Sequence, residues 1–460
     1  MANLSLCWFI MSLSSALVVS YFCLDQAIIG IKSLIIAGVL FLYSLYYMKF
    51  RRFFYAYIPE NPGIMFRGKM IPAHPNGWFV ISTTEELKPM YVKAVNQSGH
   101  NIVLFRGEDG VAYALDAFCP HSGANLGVGG AVKHMSCVQC PFHGWLFDGK
   151  TGNLVAGNTL TPRKVEFYTY NEKVGTCKLD PQEILKKTGE GLVNLRKYLL
   201  KEQNGYIYAW LHADPKTKPN YEPLDFTETE KRLVYKGVSL NRIFSHCQDV
   251  PENGGDIRHF IYVHSYLLPF TTLLGAKWDA KWCRGDDPEL KQKMKHKIPW
   301  VDDHKQKLLD KYLTKENSSS IGIMSLDMSS VIGGLAPKFF FNATVFQVGP
   351  GLVYLFLISP YYEVLFFQHT TSKGKFEHDV FHELYASWYL PHWVTALILR
   401  LEAMQVTNDT YVWNKKVFAT NPMYATDGEA DMTILTWRRW FGQFYEGCAK
   451  REEDRDKLTW

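Results

Sequence analysis

The sequence has little charge: Asp, Glu, Lys and Arg make up 21% of its 460 residues, and the net charge is only +5. A dedicated nucleic-acid binder concentrates far more Lys and Arg, so the composition argues against that class. The chain also lacks the cysteine framework of a small secreted scaffold, since its nine Cys fall at irregular intervals. That spacing favours a reducing compartment, with metal or redox use of a few thiols. No internal repeat is visible, and at roughly 100 to 200 residues per domain the length implies two or three domains. Apolar residues at 47% can form a substantial core, which excludes disorder as the main state. Aromatics are in excess, with 13 Trp, 26 Tyr and 29 Phe. Such flat amphipathic side chains suit a membrane interface or a flat apolar ligand.

Leu4 to Leu24 contains no charge, and at about 1.5 Å per residue it is long enough for a hydrocarbon core of about 30 Å. The positive leading segment of a signal peptide is missing. A second apolar stretch, Ala27 to Met48, carries Lys32 near one end, where it can snorkel. Lys49, Arg51 and Arg52 follow, and by the positive-inside rule they keep the rest of the chain cytosolic. Residues 1–50 are therefore expected to form a membrane anchor of one or two transmembrane helices, with the endoplasmic reticulum as its expected membrane. Residues 51–75, aromatic and containing Pro, read as a linker close to the membrane surface.

From residue 76 to 195 short alternating runs such as Asn101 to Phe105 and Val111 to Leu115, separated by turns like Gly107 to Gly110, predict an all-β domain. From 196 to 460 strands (Tyr206 to Leu211, Phe339 to Val348, Leu352 to Ile358) mix with helical segments, which predicts an α+β domain. Thr271 to Ser320 is rich in charge, including Lys291, Lys293, Lys295 and Lys297. It reads as a solvated excursion, or as a docking face for an acidic redox partner or lipid headgroups.

Two motifs carry chemistry. Cys119-Pro120-His121 is followed, after 18 residues, by Cys140-Pro141-Phe142-His143. Two Cys and two His suit a [2Fe-2S] cluster whose irons take two thiolates and two imidazoles, as in a Rieske centre. A structural zinc site uses the same residue types, but zinc fingers pair Cys with Cys at each end, whereas each half here pairs one Cys with one His. Further on, Asp256, His259 and His264 form a D-x2-H-x4-H pattern. On a regular helix His259 and His264 would diverge by about 140°, so both can reach one metal only if the helix ends or widens near Tyr262. Two His with a distant carboxylate would make the facial triad of non-haem Fe(II) oxygenases. Beyond Pro391 a helical pattern runs toward Phe418, placing Val394, Ile398, Glu402, Gln405 and Asp409 on one row.

The runs Cys119 to Leu126 and Cys140 to Trp145 resemble the Rieske domain of ring-hydroxylating and sterol-modifying oxygenases. Ala124 and Phe142 stand where respiratory Rieske proteins carry an additional disulfide, and Cys137 lies outside the resembled ligand set. Together with Asn76 to Phe79, Asp116 to Phe118, Asn204 to Ile207, Gln248 to Asp256, Trp437 to Tyr445 and the N-terminal anchor, these runs resemble the Neverland family. The resemblance implies a Rieske domain, then an α+β helix-grip-like catalytic domain with mononuclear Fe(2+). It implies Cys119, His121, Cys140 and His143 as cluster ligands. It also implies His259, His264 and Asp409 as iron ligands, the last because an Asp four residues before a Trp (Trp413) is similar to the family's carboxylate. Glu402 is the alternative carboxylate, and Asn408 departs from the Gln common in relatives. The resemblance further implies that Asp256 bridges the two metals between subunits of a homotrimer. The implied reaction converts cholesterol to 7-dehydrocholesterol with O2 and with NAD(P)H electrons delivered by a ferredoxin or reductase; the alternative is hydroxylation of a steroid or other flat lipid by the same Rieske class. Phe339-Phe340-Phe341 and Leu365-Phe366-Phe367 are candidate walls for the substrate.

Overall fold

Long runs of alternating residues between Leu233 and Ser387 build the largest element of the fold. Strands Leu233–Ile243, Glu377–Ser387, Val364–Gly374, Leu352–Ile358, Phe340–Val348, Ile321–Ile332 and Leu274–Arg284 lie side by side in that order, all antiparallel. The computed structural model describes Gly38 and residues 53–55, 65–68, 71–155, 168–171, 176–179, 194–229, 232–265, 274–332, 340–419, 422–425 and 428–450. The expected membrane anchor, residues 1–50, lies outside the described residues except for Gly38. Among the described residues no helix is long and apolar enough to cross a membrane.

One face of the large sheet carries the 22-residue helix His392–Trp413. Pro391, in an extended conformation at φ −58° and ψ 143°, stands just before the first turn. The helix stops at Trp413, short of the expected Phe418: Asn414 closes it, with its Oδ1 accepting the Phe244 N–H at 2.7 Å, and Val417–Ala419 forms a strand. Leu399 of the helix packs on Val364, Phe366 and Leu384 of the sheet.

The all-β part contains two small sheets besides the two-stranded pair Tyr168–Asn171 and Thr176–Leu179. Val92–Gln97, His100–Arg106 and Ala112–Asp116 form one, and Leu154–Val155, Leu146–Asp148, Cys137–Gln139 and Ala131–Lys133 form the other. A third sheet joins this part to the rest: Gly77–Thr83 pairs with Tyr206–Leu211, which pairs with Leu199–Gln203. Its central strands are apolar on both faces. Trp78, Val80, Tyr206, Tyr208 and Trp210 enter the core of the large sheet, and Phe79, Ile81, Ile207, Ala209 and Leu211 enter the core beneath Ile102 and Leu104. This sheet spans the expected boundary at 195, since Leu199–Gln203 and Tyr206–Leu211 lie beyond it and Gly77–Thr83 before it. Pairing between segments more than 120 residues apart leaves no local signal in the sequence.

The expected linker at 51–75 also contains structure: Phe53–Tyr55 adds to the large sheet parallel to Val238, Ser239 and Leu240, and Met65–Arg67 pairs with Val417–Ala419. A short aromatic run is as fit for a sheet edge as for an interface. Nor is 271–320 a solvated excursion. It supplies the edge strand Leu274–Arg284 and the helix Pro299–Tyr312, which buries Val301, Lys305, Leu309 and Tyr312 at i+3 and i+4 spacing. Many of its charges are paired locally, as in Lys291–Asp310 at 2.6 Å and Lys293–Asp287 at 2.8 Å.

Candidate metal centres

Cys119 and Cys140 sit at the tips of two loops with the same wiring. In the first, the Cys119 N–H donates to the Ala124 carbonyl at 2.8 Å, and the Gly123 N–H donates back to the Cys119 carbonyl at 2.8 Å. In the second, the Cys140 N–H donates to Trp145 at 2.7 Å and the Gly144 N–H to Cys140 at 3.1 Å. Gly123 at φ 72° and Gly144 at φ 75° occupy the left-handed region that lets each loop close so tightly. Both thiols are buried, and burial together with the facing Cys140 thiol pushes Cys119 up to about 11. His121 and His143 stand at the exposed edge with ring centroids 4.6 Å apart, and Trp145 stacks on His121 at 4.7 Å.

The four side chains thus converge with soft sulfur ligands inside and imidazoles outside. This donor set could hold a cluster that exchanges electrons through its histidine edge. Trp145 Nε1 is buried and finds no acceptor among the described residues. An acceptor-rich cluster in this pocket would relieve that cost. Cys137, buried and three residues away, belongs to the strand Cys137–Gln139.

The second constellation is tighter. One ligand atom each from His259, His264 and Asp409 lies within 4.8 Å of the others. The helix His259–Val263 has only five residues, and His264 leaves it at φ −111° and ψ 24°. This early end swings the second imidazole round to the first, as the i, i+5 spacing required.

Each ring is held from behind. His259 Nδ1 donates to the Asp256 carbonyl. His264 Nδ1 donates to Gln405 Oε1 at 3.0 Å, leaving its Nε2 3.3 Å from Asp409 Oδ1. Fixing Nδ1 in this way orients the Nε2 lone pairs toward one point and raises their basicity. Burial lowers the pKa of His259 and the Asp409 carboxylate opposes that shift, so the ring is kept neutral and able to bind a metal. Two imidazoles and one carboxylate converging in this way are the donor set of a facial-triad iron site.

The long helix decides the carboxylate. Asp409 faces the two histidines, whereas Glu402, two turns earlier, is directed to Ser239 at 3.4 Å and His382 at 3.5 Å. The Asp256 carboxylate is not part of the triad: its Oδ1 accepts the N–H groups of Arg258 and His259, each at 3.2 Å, at the start of the short helix. Gln405 and Trp278, whose Nε1 donates to the His264 carbonyl at 2.7 Å, were not given a role from sequence. Gln405 was within reach of such reasoning, since it lies one turn before Asp409 on the same row.

Beside the triad lies the helix-facing side of the large sheet. Along Leu352–Ile358, Leu352, Tyr354, Phe356 and Ile358 are fully packed, whereas Val353, Leu355 and Leu357 keep accessible surface. Phe260, Trp278 and Phe341 link the triad to this apolar face with centroid spacings of 5.5 and 6.4 Å. Of the candidate walls, Phe341 is on this face, Leu365 and Phe367 lie in the solid core on the other side, and Phe339 is outside the described residues. Phe366 is covered by the long helix.

Comparison with known proteins agrees with this layout. Residues 77–178 match the Rieske [2Fe-2S] domain, and residues 209–344 and 391–445 match the 3-ketosteroid 9alpha-hydroxylase C-terminal domain. Dicamba monooxygenase bound to 3,6 dichlorosalicylic acid shares the fold at a TM-score of 0.50 and 15% identity, over 82% of this chain and 98% of that one. Cholesterol 7-desaturase nvd of Bombyx mori is 31% identical over 85% of this chain and 74% of its own length. Cholesterol 7-desaturase nvd 1 of Ciona intestinalis is 32% identical over 83% of this chain and 70% of its own. With both metal constellations assembled and that similarity running through them, the chain belongs to the Neverland family of cholesterol 7-desaturases.

Proposed function

We propose that this protein is a Rieske-type sterol 7-desaturase acting on cholesterol. The observation that carries the reading is the His259, His264 and Asp409 triad beside a sheet face on which apolar Val353, Leu355 and Leu357 keep accessible surface. Cys119, Cys140, His121 and His143 would hold the [2Fe-2S] cluster, and the triad would hold Fe(2+). When bound, the two metals supply the redox chemistry that activates O2. The overall balance is cholesterol, O2, two electrons and two protons giving 7-dehydrocholesterol and two water molecules, so the sterol loses one hydrogen each from C7 and C8.

The chain's own residues position and protect. Gln405 and the Asp256 carbonyl hold the two imidazoles, Trp278 fixes the backbone of His264, and the apolar strands exclude water from the reacting carbon. Asp256 is the inter-metal bridge in this reading. The exposed His121 and His143 edge of one subunit would approach Asp256 of another, which calls for a homotrimer. A ferredoxin or reductase fed by NAD(P)H would deliver electrons, and residues 1–50 would hold the enzyme at the endoplasmic reticulum membrane with its catalytic part cytosolic. The test is incubation of the purified protein with NADPH, a reductase system and cholesterol, with products read by mass spectrometry. Loss of two hydrogens is expected, whereas a product that gains oxygen overturns desaturation.

A further inference from the structure

The apolar face beside the triad is interrupted by a polar patch. Gln368, His382 and Ser239 lie directly opposite one another on three neighbouring strands, and Asn241 lies two residues beyond Ser239 on the same face. Glu402 descends on them from the long helix. Its carboxylate meets Ser239 Oγ at 3.4 Å and His382 Nε2 at 3.5 Å, while His382 Nε2 also lies 2.9 Å from Gln368 Oε1.

The patch is incompletely satisfied. Gln368 Oε1 can only accept, so His382 carries its proton on Nε2, and Nδ1 is left as a buried acceptor with no donor among the described residues. Asn241, fully buried, finds no partner for either amide atom among them. Unpaired buried groups of this kind cost free energy until something pairs with them. Glu402 is enclosed by protein, and that burial pushes its carboxyl up to about 8. Nevertheless 19% of its side-chain surface remains accessible.

We propose that Glu402 and His382, supported by Ser239 and Gln368, bind the sterol's 3-hydroxyl and thereby set which carbon faces the iron. The inference rests on the sterol reading given above. Cholesterol has one polar group, which can accept from a protonated Glu402, whose side chain keeps accessible surface, and a turn of the His382 ring would bring its unpaired Nδ1 to the hydroxyl proton. Its C3 and C7 lie on adjacent fused rings, so a hydroxyl anchor belongs within roughly two helical turns, about 10 Å, of the iron ligands. Glu402 stands seven residues before Asp409 on one helix face. A site built around a substrate hydroxyl rejects the analogue that lacks it far more strongly than an apolar pocket does.

The experiment compares cholesterol with its 3-deoxy analogue, cholest-5-ene, on the full-length detergent-solubilised holoenzyme. Equilibrium binding is followed by tryptophan fluorescence, and turnover is measured alongside. Wild type should bind cholesterol at least about tenfold more tightly than cholest-5-ene. His382→Leu and Glu402→Leu should abolish that preference, and Glu402→Gln, which keeps a donor, should retain it. Wild type that binds both sterols equally overturns the anchor, as does a leucine variant with full iron content that still discriminates. If the leucine variants fail to fold, the wild-type comparison and Glu402→Gln decide. Should cholesterol be neither bound nor turned over, the sterol reading itself fails, an outcome distinct from turnover of both sterols with no preference between them.

Discussion

At the scale of the residue, the candidate iron site depends on which carboxylate faces two imidazoles. Asp409 does and Glu402 does not, although both lie on the same face of one helix. Asp409→Asn is therefore expected to lose the mononuclear iron while keeping the visible spectrum of the cluster, and Glu402→Gln to keep both, as read by metal analysis. Asp256 makes a separable prediction. Its Oδ1 accepts the Arg258 and His259 N–H groups at the start of the short helix, a role that asparagine can also fill. Asp256→Asn should leave both metals in place and abolish turnover, and normal activity in that variant would sink the bridge. Glu402 has a pH signature of its own. Burial raises its pKa from 4.5 to about 8, so the folded protein holds a proton that the unfolded chain releases. Its stabilising contribution is full below about 4.5 and is lost as pH rises through about 8. Thermal scans of the iron-free protein should show wild type losing stability relative to Glu402→Gln across that window, and parallel curves would contradict the assignment.

At the scale of the element, the short helix works because it ends early and because its approach is pinned. Gly255, immediately before Asp256, lies under Trp437 of the helix Glu429–Phe441, where an added Cβ would come within 2.5 Å of the indole. The indole is in turn fixed by donation from Nε1 to Gln347 Oε1 at 2.9 Å. Neither group can retreat cheaply, so Gly255→Ala should cost about 1 to 3 kcal/mol by overpacking. It should also displace the turn that aims His259. Lowered iron content together with a lowered melting temperature is the expected result, and unchanged iron content would mean that the turn tolerates the shift. The long helix is less sensitive locally, because its register on the sheet is set at two separated points, Glu402 against Ser239 and Asn414 against the Phe244 backbone.

At the scale of the whole molecule, the sheet of Gly77–Thr83, Tyr206–Leu211 and Leu199–Gln203 is a wall shared by two cores. Trp78 and Trp210 face each other on one side at 5.6 Å, while Phe79 and Ala209 pack on the other. Two cores with a common wall should melt together, so loss of cluster absorbance and loss of helical circular dichroism are expected to coincide in one transition. Trp210→Ala should shift both by about 3 to 5 kcal/mol. Well-separated transitions would show that the wall does not couple them. The sequence by itself picked out the candidate ligands: Cys119, His121, Cys140, His143, His259 and His264 are legible because ligand type and spacing are local properties of the chain. It also determined the strands Tyr206–Leu211 and Leu352–Ile358, because alternation is local too. The tertiary structure brought Asp409, which the resemblance had implied, to the two imidazoles and turned Glu402 away from them, and it alone showed Gln405 steadying His264. It likewise placed Phe53–Tyr55 and Leu274–Arg284 at the edges of the large sheet. These outcomes depend on where distant segments meet, which is fixed by the packing of the whole chain and by the register of strands far apart in sequence.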